Sequence, residues 1–288
     1  MTDHSHDFAS LRDWIGRQES HDDVVTAAPV AGLAATLDRH DVTTSEGQPL
    51  PPLWHWLYFL PSAPQAQLGV DGHPARGGFL PPVPLPRRMW AASKLEFHRP
   101  LTIGERIHRV STITDVQHKQ GRSGDLVFVN VRHEIAGSGS AGITEEQQIV
   151  YRGAPAPGAA TAGANAPGAA RESAFRQLVR PDPVLLFRYS ALTFNGHRIH
   201  YDRPYATQAE GYPGLVVHGP LLATLLLEAL HRHLPDGRIA RFEFRAQRPL
   251  FDTDAFVVAG KPEGEGAWAL WAADQAGNVA VEGKAATA

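Results

Sequence analysis

Residues 187–206 read FRYSALTFNGHRIHYDRPYA, a stretch that crowds Asn195, His197, Arg198, His200 and Asp202 between apolar runs, with Glu210 close behind. A plain core segment does not concentrate proton-carrying groups in this way. Imidazole titrates near physiological pH, so His200 is the first candidate for acid/base work. Residues 211–230, GYPGLVVHGPLLATLLLEAL, supply a helix whose start is marked by His218, Gly219 and Pro220. Proline suits the first helical position, and Leu221, Leu222, Leu225, Leu226, Ala229 and Leu230 recur at helical spacing. A backbone N–H at a helix start meets the positive end of the helix dipole, and glycine leaves the approach open. Gly219 is therefore the candidate donor to a developing oxyanion.

Other chemistries find less support. His197-x-x-His200-x-Asp202 has donor types that suit zinc or iron, but the pattern on a loop is a weak signature and no metal is assigned. The chain has no GxSxG, GxxxxGK[ST] or HExxH, and no dinucleotide fingerprint, so no separate cofactor is expected. The paired His4 and His6 lie in a polar, frayed start, where solvation is the expected state.

The elements that must position these groups follow from hydrophobic period. Leu11, Trp14 and Ile15 predict a short amphipathic helix, and residues 24–37 a second one. The aromatic block at residues 51–60 predicts a short buried helix, and residues 72–86, GHPARGGFLPPVPLP, a surface loop and candidate lid. Alternation at 107–113 and 126–135 around the turn QGRSGD predicts a long antiparallel hairpin, with flanking strands at SKLEFHR and ITEEQQIVYR. Beyond it the order repeats: a strand near 184–189, the polar loop, the helix 220–233, then strands at 238–247, 255–261, 268–273 and 279–285. A helix followed by an antiparallel meander is an α+β arrangement, and its recurrence suggests internal duplication.

With 288 residues the chain exceeds a usual single core. Residues 153–172 are almost wholly Gly, Ala and Pro, too poor in apolar area to order themselves, so they are read as a linker. The expected division is 1–152 and 173–288, the second of which carries the polar loop. A formal charge of −3 offers no general attraction to nucleic acid or to an anionic membrane. The absence of cysteine excludes disulfides and thiolate chemistry and fits a reducing interior. The first residues lack signal-peptide character, and no apolar window is long enough to span a bilayer, so a cytoplasmic protein is expected.

YSALTFNGHRIHYDRPYA followed by PGLVVHGPL resembles the MaoC-like hydratases and dehydratases, most closely the hydroxyacyl-thioester dehydratase type 2 branch. DWIGRQES, VVTAAPVAGLAATLD and LPPLWHWLYFLP are similar to the non-catalytic partner domain of the same proteins, so the likeness covers most of the chain and implies that 1–152 is the non-catalytic half and 173–288 the catalytic one. It implies a double hotdog: two antiparallel sheets, each wrapped around a central helix, joined as a pseudo-dimer that is monomeric or a homodimer. It implies reversible hydration of an enoyl-CoA thioester, with coenzyme A entering as part of the substrate. The branch includes mesaconyl-CoA and itaconyl-CoA hydratases, which points to formation of citramalyl-CoA. The alternatives are a 3-hydroxyacyl-thioester dehydratase of fatty-acid metabolism and a non-catalytic thioester-binding subunit.

The related (R)-hydratases carry D-x-N-P-[IV]-H-x-D, and IHYD places His200 and Asp202 on its last part. Asn195 stands where they have Asp, and His197 and Arg198 where they have Asn and Pro. Asn195 cannot act as a base. Three completions are open: His197 pairs with His200, Asp202 orients His200, or Glu210 reaches in. Arg198, Tyr189, His218, Glu210, Arg87 and Arg88 form the expected substrate-binding set, with Arg198 or His197 nearest to a second substrate carboxylate. The phosphates of coenzyme A call for a basic rim, for which Arg87, Arg88, Lys94 and Arg99, or Arg241, Arg245 and Arg248, are the clusters available.

Overall fold

The computed structural model describes residues 8–121, 124–153 and 171–288. The residues His4 and His6, the tip of the QGRSGD turn and nearly all of the 153–172 run lie outside that set.

Ten strands form one antiparallel sheet. In chain order they are β1 (Gln18–Val24), β2 (Arg87–Phe97), β3 (Arg106–Gly121), β4 (Gly124–Gly137), β5 (Ser140–Arg152), β6 (Phe175–Val179), β7 (Ile239–Ala246), β8 (Phe256–Gly264), β9 (Ala267–Asp274) and β10 (Val279–Thr287). Their order across the sheet is β1-β3-β4-β5-β2-β7-β10-β9-β8-β6. The first five strands and the last five follow one scheme, and they meet where β2 pairs with β7 from Ala92↔Arg245 to Glu96↔Arg241. What resemblance implied as two sheets is thus continuous. Leu95 and Phe242 face each other at that seam and are both buried, while Lys94↔Glu243 and Glu96↔Arg241 put opposite charges side by side.

Helix α1 (Ala27–Thr36) agrees with the 24–37 prediction, and a 3-10 turn at Ser10–Trp14 occupies the place of the first predicted helix. Residues 184–189 are not a strand. They belong to helix α2 (Pro183–Leu192), whose start is set by the Asp182 carboxylate accepting from the Leu185 N–H at 2.9 Å, with Pro183 just inside. The opening strand of this half is β6.

Helix α3 (Gly219–His233) is the central helix, and every residue from Leu221 to Leu230 is buried. Each fully buried leucine there contributes about 2 kcal/mol of hydrophobic stabilisation. Glu228 is the charged exception; it accepts from Trp54 Nε1 at 2.9 Å and pairs with Arg39. Trp54 belongs to the 3-10 turn Trp54–Leu57, which in the first half stands between α1 and β2 where the second half has α3. The short aromatic turn therefore both replaces a helix and satisfies the one carboxylate buried along its counterpart.

Candidate active site

His200 ends a 3-10 turn (Arg198–His200) and is buried. Its Nδ1 lies 2.7 Å from the Val216 carbonyl oxygen, which can only accept, so Nδ1 carries the proton and Nε2 keeps its lone pair. Burial first, and then the neighbouring His197, push the His200 pKa down to about 3. The result is a neutral imidazole with a fixed tautomer.

His218 stacks on His200, with ring centroids 3.7 Å apart and 19° between planes. It is fully buried; its Nε2 is 2.8 Å from the Ser190 hydroxyl, and its Nδ1 has no partner among the described residues. Desolvation holds it well below the usual imidazole range. Tyr189 packs edge-on against His218 at 5.0 Å, and burial raises its own pKa. Gly219 follows His218 as the first residue of α3. Its amide has no protein acceptor among the described residues, and the nearest atom to where a Cβ would stand is the Trp90 carbonyl oxygen at 3.9 Å. The helix start is therefore open, and the strand that flanks it is β2.

The structure brings His197, His200, His218, Tyr189 and Gly219 together, and it commits most of the other candidates, though not Arg88, elsewhere. Asp202 accepts from the Tyr205 N–H at 3.1 Å, capping a π-helical turn (Tyr205–Ala209), and pairs with Arg198 at 2.7 Å. The Val216 carbonyl, rather than Asp202, orients His200. Glu210 pairs with Arg87 at 2.6 Å and accepts from the Tyr205 hydroxyl at 3.2 Å. Arg198 also donates to the Val70 carbonyl and lies over the Tyr205 ring, so it has little left for a substrate carboxylate. Asn195 turns its side-chain oxygen onto the His197 N–H at 3.0 Å and shapes the loop. Arg99 is held by the buried Glu105. Arg241 and Arg245 stand exposed on β7, opposite in face to the buried Phe242 and Phe244.

Asp71 and His73 are additions that sequence reasoning missed. Their loop lies on the polar loop: the Arg198 N–H donates to the Asp71 carbonyl at 2.9 Å, and the His73 and His197 rings sit 4.1 Å apart. Asp71 also accepts from His73 Nδ1 at 3.0 Å. Burial, then the charge of His73, pushes the His197 pKa down to about 3. An Asp-Gly-His triplet at the edge of the Gly/Pro-rich candidate lid was the available signal. Asp71, His73 and His197 have ligating atoms within 4.8 Å of one another and could hold a metal ion, although Arg88 and Arg76 add positive charge beside them. A separate surface cleft of about 700 Å³, lined in part by Arg176, Arg180 and Asp254, contains none of the predicted site residues.

These depressed pKa values predict a split pH response. The unfolded chain takes up protons on His197, His200 and His218 below about pH 6.5, whereas the folded pKa values of His197 and His200 lie near 3. Stability is full above about 6.5 and declines as pH falls toward 3, each fully buried histidine adding at most about 1.4 kcal/mol per pH unit. Urea midpoints should drop between pH 7.5 and 5. Over the same range kcat of the remaining folded protein should show no imidazole-like inflection near 6.5.

Comparison with known proteins gives a consistent picture. A family model described as hydroxyacyl-thioester dehydratase type 2 matches residues 53–252, a span that runs from the Trp54 turn through β7. The chain is 52% identical over 252 residues to the mesaconyl-C(4)-CoA hydratase of Chloroflexus aurantiacus, covering 88% of this chain and 89% of that one. It is 30% identical over 262 residues to the mitochondrial hydroxyacyl-thioester dehydratase type 2 of Schizosaccharomyces pombe, covering 80% and 85%. A solved Mycobacterium tuberculosis protein described as having a double hotdog fold aligns with a TM-score of 0.59 over 97% of both chains, at 14% identity. That likeness establishes the fold.

Proposed function

From a chain that belongs to the hydroxyacyl-thioester dehydratase type 2 family and is a hydro-lyase with a double hotdog fold, we propose a hydratase of a β-carboxylated enoyl-CoA, with mesaconyl-C(4)-CoA as the substrate and citramalyl-CoA as the product. Itaconyl-CoA is the second substrate to test. The reading rests on the relative named for that substrate and, above all, on His200: a buried neutral imidazole whose Nε2 keeps its lone pair because Nδ1 donates to Val216.

In the proposed reaction His200 Nε2 takes a proton from water, and the water oxygen bonds to the β carbon. The π electrons of the double bond shift through the α carbon to the thioester oxygen, which the Gly219 N–H holds as an enolate. The enolate then collapses, and the proton on Nε2 passes to the α carbon. One water is added and the imidazole returns to its starting state. A neutral base suits this cycle because it accepts a proton in the first step and gives the same proton back in the second. Asn195 and His197 shape the loop that positions the water, and Tyr189 and His218 back the acyl group. The exposed Arg241 and Arg245 on the outer face of β7 are the candidates for coenzyme A phosphates.

The test is to incubate the protein with mesaconyl-C(4)-CoA, itaconyl-CoA and crotonyl-CoA and follow loss of the enoyl absorbance and gain of one water by mass. Preference for mesaconyl-C(4)-CoA supports the reading. Preference for crotonyl-CoA moves the protein to straight-chain 3-hydroxyacyl thioesters, and turnover of none removes the proposed activity.

A further inference from the structure

Arg198 and His197 were the expected receivers of a second substrate carboxylate, but Arg198 is paired with Asp202 and His197 is held neutral by burial. Arg88 is the cation with a better placement. It is half-buried on β2, two residues before Trp90, whose carbonyl is the closest atom to the open face of Gly219. Alternation along the strand puts Arg88 and Trp90 on one face, with Arg87 and Met89 on the other. Directly opposite Arg88 on β5 is Tyr151, which is buried in a cluster with Val83 and Leu85 of the candidate lid. Arg88 thus points beneath that lid.

Its charge is also unspent. Arg87 is paired with Glu210, and Arg76 donates to the carbonyls of Val83 and Pro86, whereas Arg88 has no carboxylate partner among the described residues. It is close enough to His73 and His197 for its charge to oppose protonation of both, after burial as the larger cause, and it acts on the Tyr151 hydroxyl as well. A half-buried guanidinium set beside the Tyr151 phenol, with no carboxylate of its own among the described residues, is a site that calls for an anion. The same field weighs against a cation at Asp71, His73 and His197.

We propose that Arg88 receives the free carboxylate on the β carbon of the substrate and so determines specificity for β-carboxylated over neutral acyl-CoA esters. The inference rests on the hydratase reading above and adds the residue that reads the acyl group. In mesaconyl-C(4)-CoA that carboxylate is one bond from the carbon that water attacks. His197, whose ring centroid is 5.3 Å from that of His200, links the reach of Arg88 to the base. The first half of the chain then selects the acyl group while the second half holds the base.

The test uses saturated esters, which bind without reacting. Methylsuccinyl-CoA with its thioester at C4 and butyryl-CoA differ at the β carbon only by the carboxylate. Calorimetry on the wild type should favour the carboxylated ester. Arg88→Gln should reduce that preference by about 30-fold, the scale of a charge-assisted hydrogen bond, and Arg88→Lys by less. Because the readout is a ratio on one protein sample, general damage to folding cancels. Equal weakening of both esters would assign Arg88 to coenzyme A or to structure and overturn the proposal, as would an unchanged ratio. A wild type that prefers the carboxylated ester yet turns over no enoyl-CoA would instead remove the hydratase reading and leave the carboxylate site standing.

Discussion

His200→Ala is expected to lower kcat about 1,000-fold on the preferred enoyl-CoA, within the range seen when a positioned acid/base is removed. Three of the other candidates are committed elsewhere. His218 has its Nε2 on Ser190, Asp202 caps a turn and pairs with Arg198, and Glu210 is spent on Arg87. The substitution removes one buried hydrogen bond, to Val216, and one stacked ring, so the protein should stay folded at the cost of about 1–3 kcal/mol. Steady-state rates with KM measured separately make the distinction: a fall confined to kcat fits loss of the base, whereas a rise confined to KM would assign His200 to binding alone. A loss smaller than tenfold would end its role as base.

The second large effect lies outside the chemistry. Gly72 sits at φ +85°, and a Cβ there would stand 1.9 Å from the Gly196 carbonyl oxygen, a backbone atom that cannot swing aside. Gly72→Ala should therefore displace the 194–198 loop and with it His197 and His200. The combined left-handed strain and overpacking come to about 2–4 kcal/mol, with a loss of activity larger than the loss of folded protein. Gly211→Ala is the matched control. It shares the positive φ, at +73°, but meets nothing within 4 Å, so it should show the backbone cost alone. Equal melting temperatures and rates for the two variants would mean that the two loops do not need to touch.

Much of the architecture was legible in the sequence because it is written in short-range period. The alternation in β3 and β4 and the leucine-rich face of α3 each report a local burial pattern, and the observed spans follow them closely. α2 was misread for a physical reason: Val184, Leu185, Leu186 and Phe187 look like a strand by apolarity. The helix is decided by Asp182 and Pro183, and Val184 and Phe187 are in fact exposed. At the site, the concentration of histidines was visible, but their partners were not. Val216 orients His200 through a backbone carbonyl, a role no residue type announces. Asp71 and His73 reach His197 across more than a hundred positions of sequence, which only the packing of the two loops reveals.

The strand order has a last consequence at the rim. Joining β2 to β7 leaves, among the described residues, only β1 and β6 without a neighbour on one side, and these read QESHDDV and FRQLV. Asp22 and Arg176 are exposed along those two borders, where a stray strand would otherwise add. Acidic and basic side chains there oppose edge-to-edge aggregation.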